Sequence, residues 1–247
     1  MAVTDDPAPL YLCFAGQCVG IACRDAEVAA YLRRHFRHCI GRTATVVAEY
    51  DVEVGADRLV SVTRNSEPGY YGSLSPYLVE WLMQELTRVL AGPCGSELVV
   101  HAAGLASGDA GVMICGTSGS GKSTLAAWLI GAGFDFLSDE LIAIAPGAAQ
   151  MSGFPRPIAL KAGTAFVWQS RVPPAAQSAL LRVGEDTVLL DPEMLRPGCV
   201  LATARPTCLL FPQYQPDATF HAERLSTAAT LFRLLQRVLN GANLPDL

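Results

Sequence analysis

Eight residues constrain this chain more than any others. Gly116-Thr117-Ser118-Gly119-Ser120-Gly121-Lys122-Ser123 satisfies the pattern GxxxxGK[ST] at every position. The pattern has a physical meaning only between a strand and a helix. The flanks supply both: the apolar run GVMIC stands before it and TLAAWLIG after it. The glycines let the backbone curl so that successive N–H groups face one concavity, and the helix N-terminus adds partial positive charge. Such a cradle takes phosphate oxygens. Lys122 is placed to reach the terminal phosphates and Ser123 to ligate Mg²⁺, with Thr124 the weaker alternative.

Two acids follow closely. Asp139 lies seventeen residues after Lys122, at the end of FDFLS, with Glu140 beside it. One short helix and one strand fit between. The strand is expected to run parallel, or nearly so, to the one that leads into the cradle. Its C-terminal end then falls on the ligand side of the sheet. One acid could hold Mg²⁺ and the other could take a proton from an attacking hydroxyl. The bland alternative is a turn cap at Asp139 with Glu140 solvated. Strand alternation sends Glu140 away from Asp139 unless the chain turns between them.

The remaining pattern is mixed. Residues 10–23 read as two strands about Ala15-Gly16-Gln17, and a helix fits from Asp25 to His38. Strands are expected at 43–53 and 58–64, then a helix opened by Ser75-Pro76 and stopped by Gly92-Pro93. AGPCGS at 91–96 separates this front from the rest. ELVVHAAGL and GVMIC read as a hairpin across Ser107-Gly108-Asp109. LIAIA, TVLLD and PTCLLF read as later strands, the stretch 146–186 as irregular, and Ser226 as the cap of a closing helix. The fold class expected is α/β: a P-loop domain with a mixed sheet over 96–247, preceded by a smaller α+β portion over 1–95.

Composition narrows the partners. Net charge is −5, which argues against a general nucleic-acid binder. The charged fraction is only 17%, so part of the surface is expected to be covered by further copies, as in a homo-oligomer. No apolar run reaches the ~18 residues of a membrane span. The eight cysteines read as buried thiols of a reducing cytoplasm, and the acidic start MAVTDDPAPLYL does not resemble a secretory signal. The chain has two lysines, Lys122 and Lys161. Lys161 shares GFPRPIALKAG with Arg156, and the pair could supply a second cationic contact to a polyanion or simply sit solvated on a loop. The run Arg33-Arg34-His35-Phe36-Arg37-His38 reads as a solvated helix face, with docking of an acidic peptide as the alternative. His101, between Val100 and Ala102, would ordinarily be a satisfied core histidine.

Taken together, LVVHAAG, the loop with its short helix, and FDFLSDE resemble the catalytic domain of HPr kinase/phosphorylase over residues 97–145. The resemblance implies that His101, the cradle and Asp139 surround the γ-phosphate, with Asp139 as base toward a seryl hydroxyl. Glu140 stands where that family usually has a second Asp. GFPRPIALKAG replaces the segment that supports dephosphorylation there, and the front does not read as the family's regulatory half. The chain is more similar to HPr-kinase-related proteins found beside peptide-tailoring genes. The resemblance therefore implies a kinase using ATP and Mg²⁺ on a protein or peptide hydroxyl. Catalytic roles fall to Asp139, His101 and Lys122. Phosphate contacts fall to Gly116 through Thr124 with Arg156 and Lys161, and metal contacts to Ser123 and Glu140. A small-molecule kinase and an ATPase switch are the alternatives. A small-molecule site requires a closed pocket, and a peptide site an open groove.

Overall fold

A computed structural model describes residues 8–41, 45–92, 97–145, 147 and 149–243. The first part of the 43–53 strand, most of the 91–96 break and the start of the chain fall outside these residues. The described chain is mixed α/β, with three sheets and six helices.

β1 (Leu10–Phe14) and β2 (Gln17–Cys23) form a hairpin. Its two-residue turn, Ala15-Gly16, has both φ angles positive, as a tight hairpin of this twist requires. The hairpin sets Cys13 directly across from Cys18 and the two form a disulfide. This corrects the expectation of free buried thiols: spacing along one strand says nothing about a residue facing back across a turn. Cys208 is also exposed rather than buried.

α1 (Ala26–His35) is capped by Asp25, whose Oδ1 accepts from the N–H groups of Glu27 and Val28. It carries the chain over to β3 (Thr45–Val54), which pairs parallel with β2. β4 (Leu59–Arg64) and β5 (Glu67–Ser73) complete a sheet of order β1-β2-β3-β4-β5. α2 (Pro76–Ala91) buries Leu78, Val79, Leu82, Met83, Leu86 and Leu90 in the core of this sheet. Ser75 holds the cap position, but its hydroxyl makes no capping bond.

β6 (Leu98–Ser107) and β7 (Ala110–Cys115) form the expected hairpin. α3 (Lys122–Gly131), β8 (Asp135–Ser138), β9 (Leu141–Ile144) and β10 (Met151–Gly153) follow. Next come β11 (Ile158–Lys161), the single-turn helices α4 (Ala165–Trp168) and α5 (Pro174–Gln177), β12 (Leu181–Val183) and β13 (Thr187–Leu190). β14 (Thr203–Leu210) and α6 (Thr227–Leu235) end the series. The stretch expected to be irregular thus contributes most of a three-stranded sheet, order β11-β13-β12.

The central sheet runs β7-β14-β10-β9-β6-β8, and the added pairing of β7 with β6 closes five of these strands into a ring. Val100, Ala102, Ala106, Met113, Ile142 and Met151 pack together in one core cluster. Ala103, Leu105 and Ile114 instead join α3 and the small sheet in a second cluster. β6 is therefore apolar on both faces, which explains its nearly unbroken hydrophobic run. At Gly153 an added Cβ would run into the backbone carbonyl of Leu137. Gly153→Ala should cost about 1–3 kcal/mol, read as a lower midpoint in urea at unchanged slope.

The front and the rest share one core: Val99, Leu141, Ala143, Phe154 and Leu189 cluster with residues of β1 to β4 and α2. The helix expected to reach His38 stops at His35, and the basic run continues past it into a 3-10 turn at Arg37–Cys39 that belongs to the same junction. Arg37 pairs with Asp191 and Glu193, and His38 Nε2 lies 3.4 Å from Asp191 Oδ1. Burial, ahead of the nearby Arg34 charge, lowers the pKa of His35 to about 4, so it is neutral at pH 7. The run is thus partly an internal fastening rather than a solvated face. Among the described residues no helix is long and apolar enough to cross a membrane.

Candidate active site

The register of one strand brings the cradle and the acids together. On β6, Ala102 pairs with Cys115 on one side, and its N–H donates to the Glu140 carbonyl on the other, at 3.2 Å. β8 is antiparallel to β6, as is β7, so β7 and β8 run in the same direction with β6 between them. β7 ends opposite Ala102 and β8 opposite Gly104, close together along β6. One continues into residues 116–121 and the other into Asp139-Glu140.

The loop is a tight turn. Ser120 N–H donates to the Thr117 carbonyl at 3.2 Å. Gly121, at φ 93°, occupies the cap position of α3 in a left-handed conformation that a side chain would strain. At Gly116 a Cβ would collide with Ser120 Oγ. Thr117, Ser118 and Gly119 are exposed, and Ser123 and Thr124 are half-buried on the first turn of α3. Lys122 is buried, and its Nζ donates to the Gly116 carbonyl at 3.2 Å. The segment after β14 crosses the loop, with Tyr214 N–H donating to the Ser120 carbonyl at 3.2 Å. Nothing in the local sequence pointed to Tyr214.

Ser138 shapes the acid turn, a role the sequence reading missed. Its buried hydroxyl donates to the Phe154 carbonyl at 3.0 Å and accepts from the N–H groups of Glu140 and Leu141 at 3.2 and 3.1 Å. The chain bends here, so strand alternation no longer sends the two acids apart. Asp139 is 2% exposed. Its Oδ1 is buried with no partner. Burial raises its pKa to about 7. The Glu140 charge adds to the rise, and Arg156, Ser123 and Lys122 oppose it.

Glu140 differs. Burial alone would raise it, but a His101 hydrogen bond and the charges of Arg156 and Lys122 hold it below the usual carboxylate range. His101 Nε2 lies 2.9 Å from Glu140 Oε1, and an Arg156 Nη donates to Glu140 Oε2 at 2.8 Å. Arg156 is only 6% exposed, far from the solvated loop that its sequence allowed. Two adjacent carboxyls thus have environments that push them apart, one ionised and one near half-protonation at pH 7. Lys161 is exposed at the end of β11, and its side chain makes no hydrogen bond or ion pair among the described residues.

The arrangement also sets a stability prediction. Glu140→Ala strips the buried Arg156 of its carboxylate. It should cost about 2–3 kcal/mol, at the low side for such pairs because Glu140 keeps some exposure. A thermal melt should show the loss, and Glu140→Gln should restore part of it.

The residues fit a phosphate-bearing nucleotide with its metal. Asp139 Oδ1 and Ser120 Oγ are buried without partners, beside a glycine-rich turn at a helix N-terminus. No protein-family profile matches the chain, and no curated protein matches it. Among solved structures it shows a weak similarity to the Hpr(Ser) kinase/phosphatase from Coxiella burnetii, at 18% identity and a TM-score of 0.30. The match covers 46% of this chain and 63% of that one, less than two thirds of its length.

Proposed function

We propose that this chain transfers the γ-phosphoryl group of ATP to a hydroxyl, serine foremost, on a protein or peptide. One observation carries the reading. A complete GxxxxGKS turn opens a helix beside a buried carboxylate, Asp139, which lies close enough to that helix's own Ser123 to feel it and has one buried oxygen without a partner.

Gly116 to Thr124 hold the phosphates, with backbone N–H groups and the start of α3 facing the negative charge. Lys122 leaves the Gly116 carbonyl and neutralises charge on the terminal phosphates. Ser123 would help hold a Mg²⁺ ion, whose positive charge would offset that of the phosphates. Asp139 aligns the acceptor hydroxyl and takes its proton. The hydroxyl oxygen bonds to the γ-phosphorus, the bond to the β–γ bridging oxygen breaks, and ADP leaves. Each oxygen of Glu140 is already held, so we give it a supporting charge instead of a free ligand atom. His101 and Arg156 fix it in place. In this reading residues 96–247 are the kinase domain and residues 1–95 supply α2 as a wall beside it.

An open groove next to Glu140 and Arg156 favours a chain-like acceptor over a small molecule in a closed pocket. The reading is tested by Mg·ATP turnover without an acceptor. A kinase should hydrolyse ATP slowly, and addition of acceptor should accelerate ADP release. Brisk hydrolysis that no acceptor changes would favour an ATPase switch.

A further inference from the structure

A groove of about 360 Å³ opens between α2 and the acid turn. Glu80, Gln84 and Thr87 line its α2 side, at the spacing that puts them on one helical face. Glu140, Arg156 and Leu189 line the opposite side. The position ties the groove to the site, because Glu140 follows the proposed base directly.

The charges in the groove are unequal. Arg156 pairs with Glu140 at 2.8 Å and is buried, with its Nε left without a partner. Glu80 is half-exposed and makes no hydrogen bond or ion pair among the described residues. An anionic ligand would find no exposed cation among the lining residues, since their one cation, Arg156, is buried against Glu140. A cationic one would find Glu80, in a chain whose net charge is −5. Met83 and Leu189 add apolar surface, against which the stem of a long basic side chain can lie.

We infer that this groove seats the acceptor segment, and that the segment carries an arginine or lysine close to its hydroxyl residue. The inference rests on the kinase reading and gives it a substrate class: a basic serine peptide. Glu80 is the specificity residue, and it acts on acceptor binding rather than on the phosphates.

Two parallel selections test it, using the full chain and a library of serine peptides randomised around the serine. In the first, wild type phosphorylates the library with Mg·ATP. In the second, immobilised Lys122→Ala protein retains the library with no transfer required. Arg and Lys should be enriched about five- to tenfold at one flanking position in both. Glu80→Gln should flatten that preference and Glu80→Lys should turn it toward Asp and Glu. Unchanged selection in Glu80→Lys, selection for acidic residues, or no retention of any peptide would overturn the groove. Basic selection by retention without any transfer would instead count against the kinase reading and leave the groove standing. Transfer with no basic preference would do the reverse.

Discussion

Asp139→Asn is expected to slow phosphoryl transfer by about 10²–10⁴-fold while making the protein more stable at neutral and alkaline pH. The two effects have one cause. Burial lifts the Asp139 pKa to about 7. The folded chain therefore keeps a proton that the unfolded chain releases near pH 4. Between those values the unfolded state binds fewer protons, so stability falls as pH rises, and the loss is complete above about pH 7. Asn carries no such penalty and keeps the size and polarity of the side chain. Its advantage should grow from pH 5 to pH 8 by about 2 kcal/mol, or several degrees in melting temperature for a chain of this length. Paired melts at the two pH values check this. Transfer by wild type should rise with pH through about 7, as the base loses its proton. An equal destabilisation of Asp139→Asn at both pH values would mean a structural role.

Lys122→Ala should lower transfer by about 10²–10³-fold and weaken ATP binding, since it removes the one buried amine facing the loop. It also leaves Asp139 and Glu140 with less opposing charge, and so raises the Asp139 carboxyl further. Lys122→Arg should not restore activity. A planar fork does not replace a compact ammonium group that must reach from the Gly116 carbonyl to a phosphate. Single-turnover transfer with bound ATP checks both variants, and a Lys122→Ala rate within a few-fold of wild type would remove Lys122 from the site.

Legibility from the sequence follows the range of the forces involved. The cradle was readable because its requirements are local: glycines where the turn is tight, a strand before, a helix after. The meeting of cradle and acids was readable from one short helix and one strand, although β6 lies between β7 and β8 and supplies the register. β5 was missed because Pro68, Gly69 and Gly72 mark it as a breaker, while an edge strand tolerates them. β11 and β12 were missed because they are only four and three residues long, and β11 finds its partner β13 well beyond it in sequence. Arg156 between two prolines looked like a surface charge, and only tertiary packing buries it against Glu140. The closing helix departs in the other direction. Its leucines follow helical spacing, yet no residue of α6 is buried, and Leu231, Phe232 and Leu235 are exposed.

The measurement that bears most directly on the central claim is calorimetric binding of ATP, ADP, AMP and adenosine to the full chain with Mg²⁺. If the turn at 116–123 grips phosphates, ATP and ADP bind, AMP and adenosine bind far more weakly, and Lys122→Ala loses the distinction. AMP binding as tightly as ATP, or a Lys122→Ala protein that discriminates as wild type does, would contradict it.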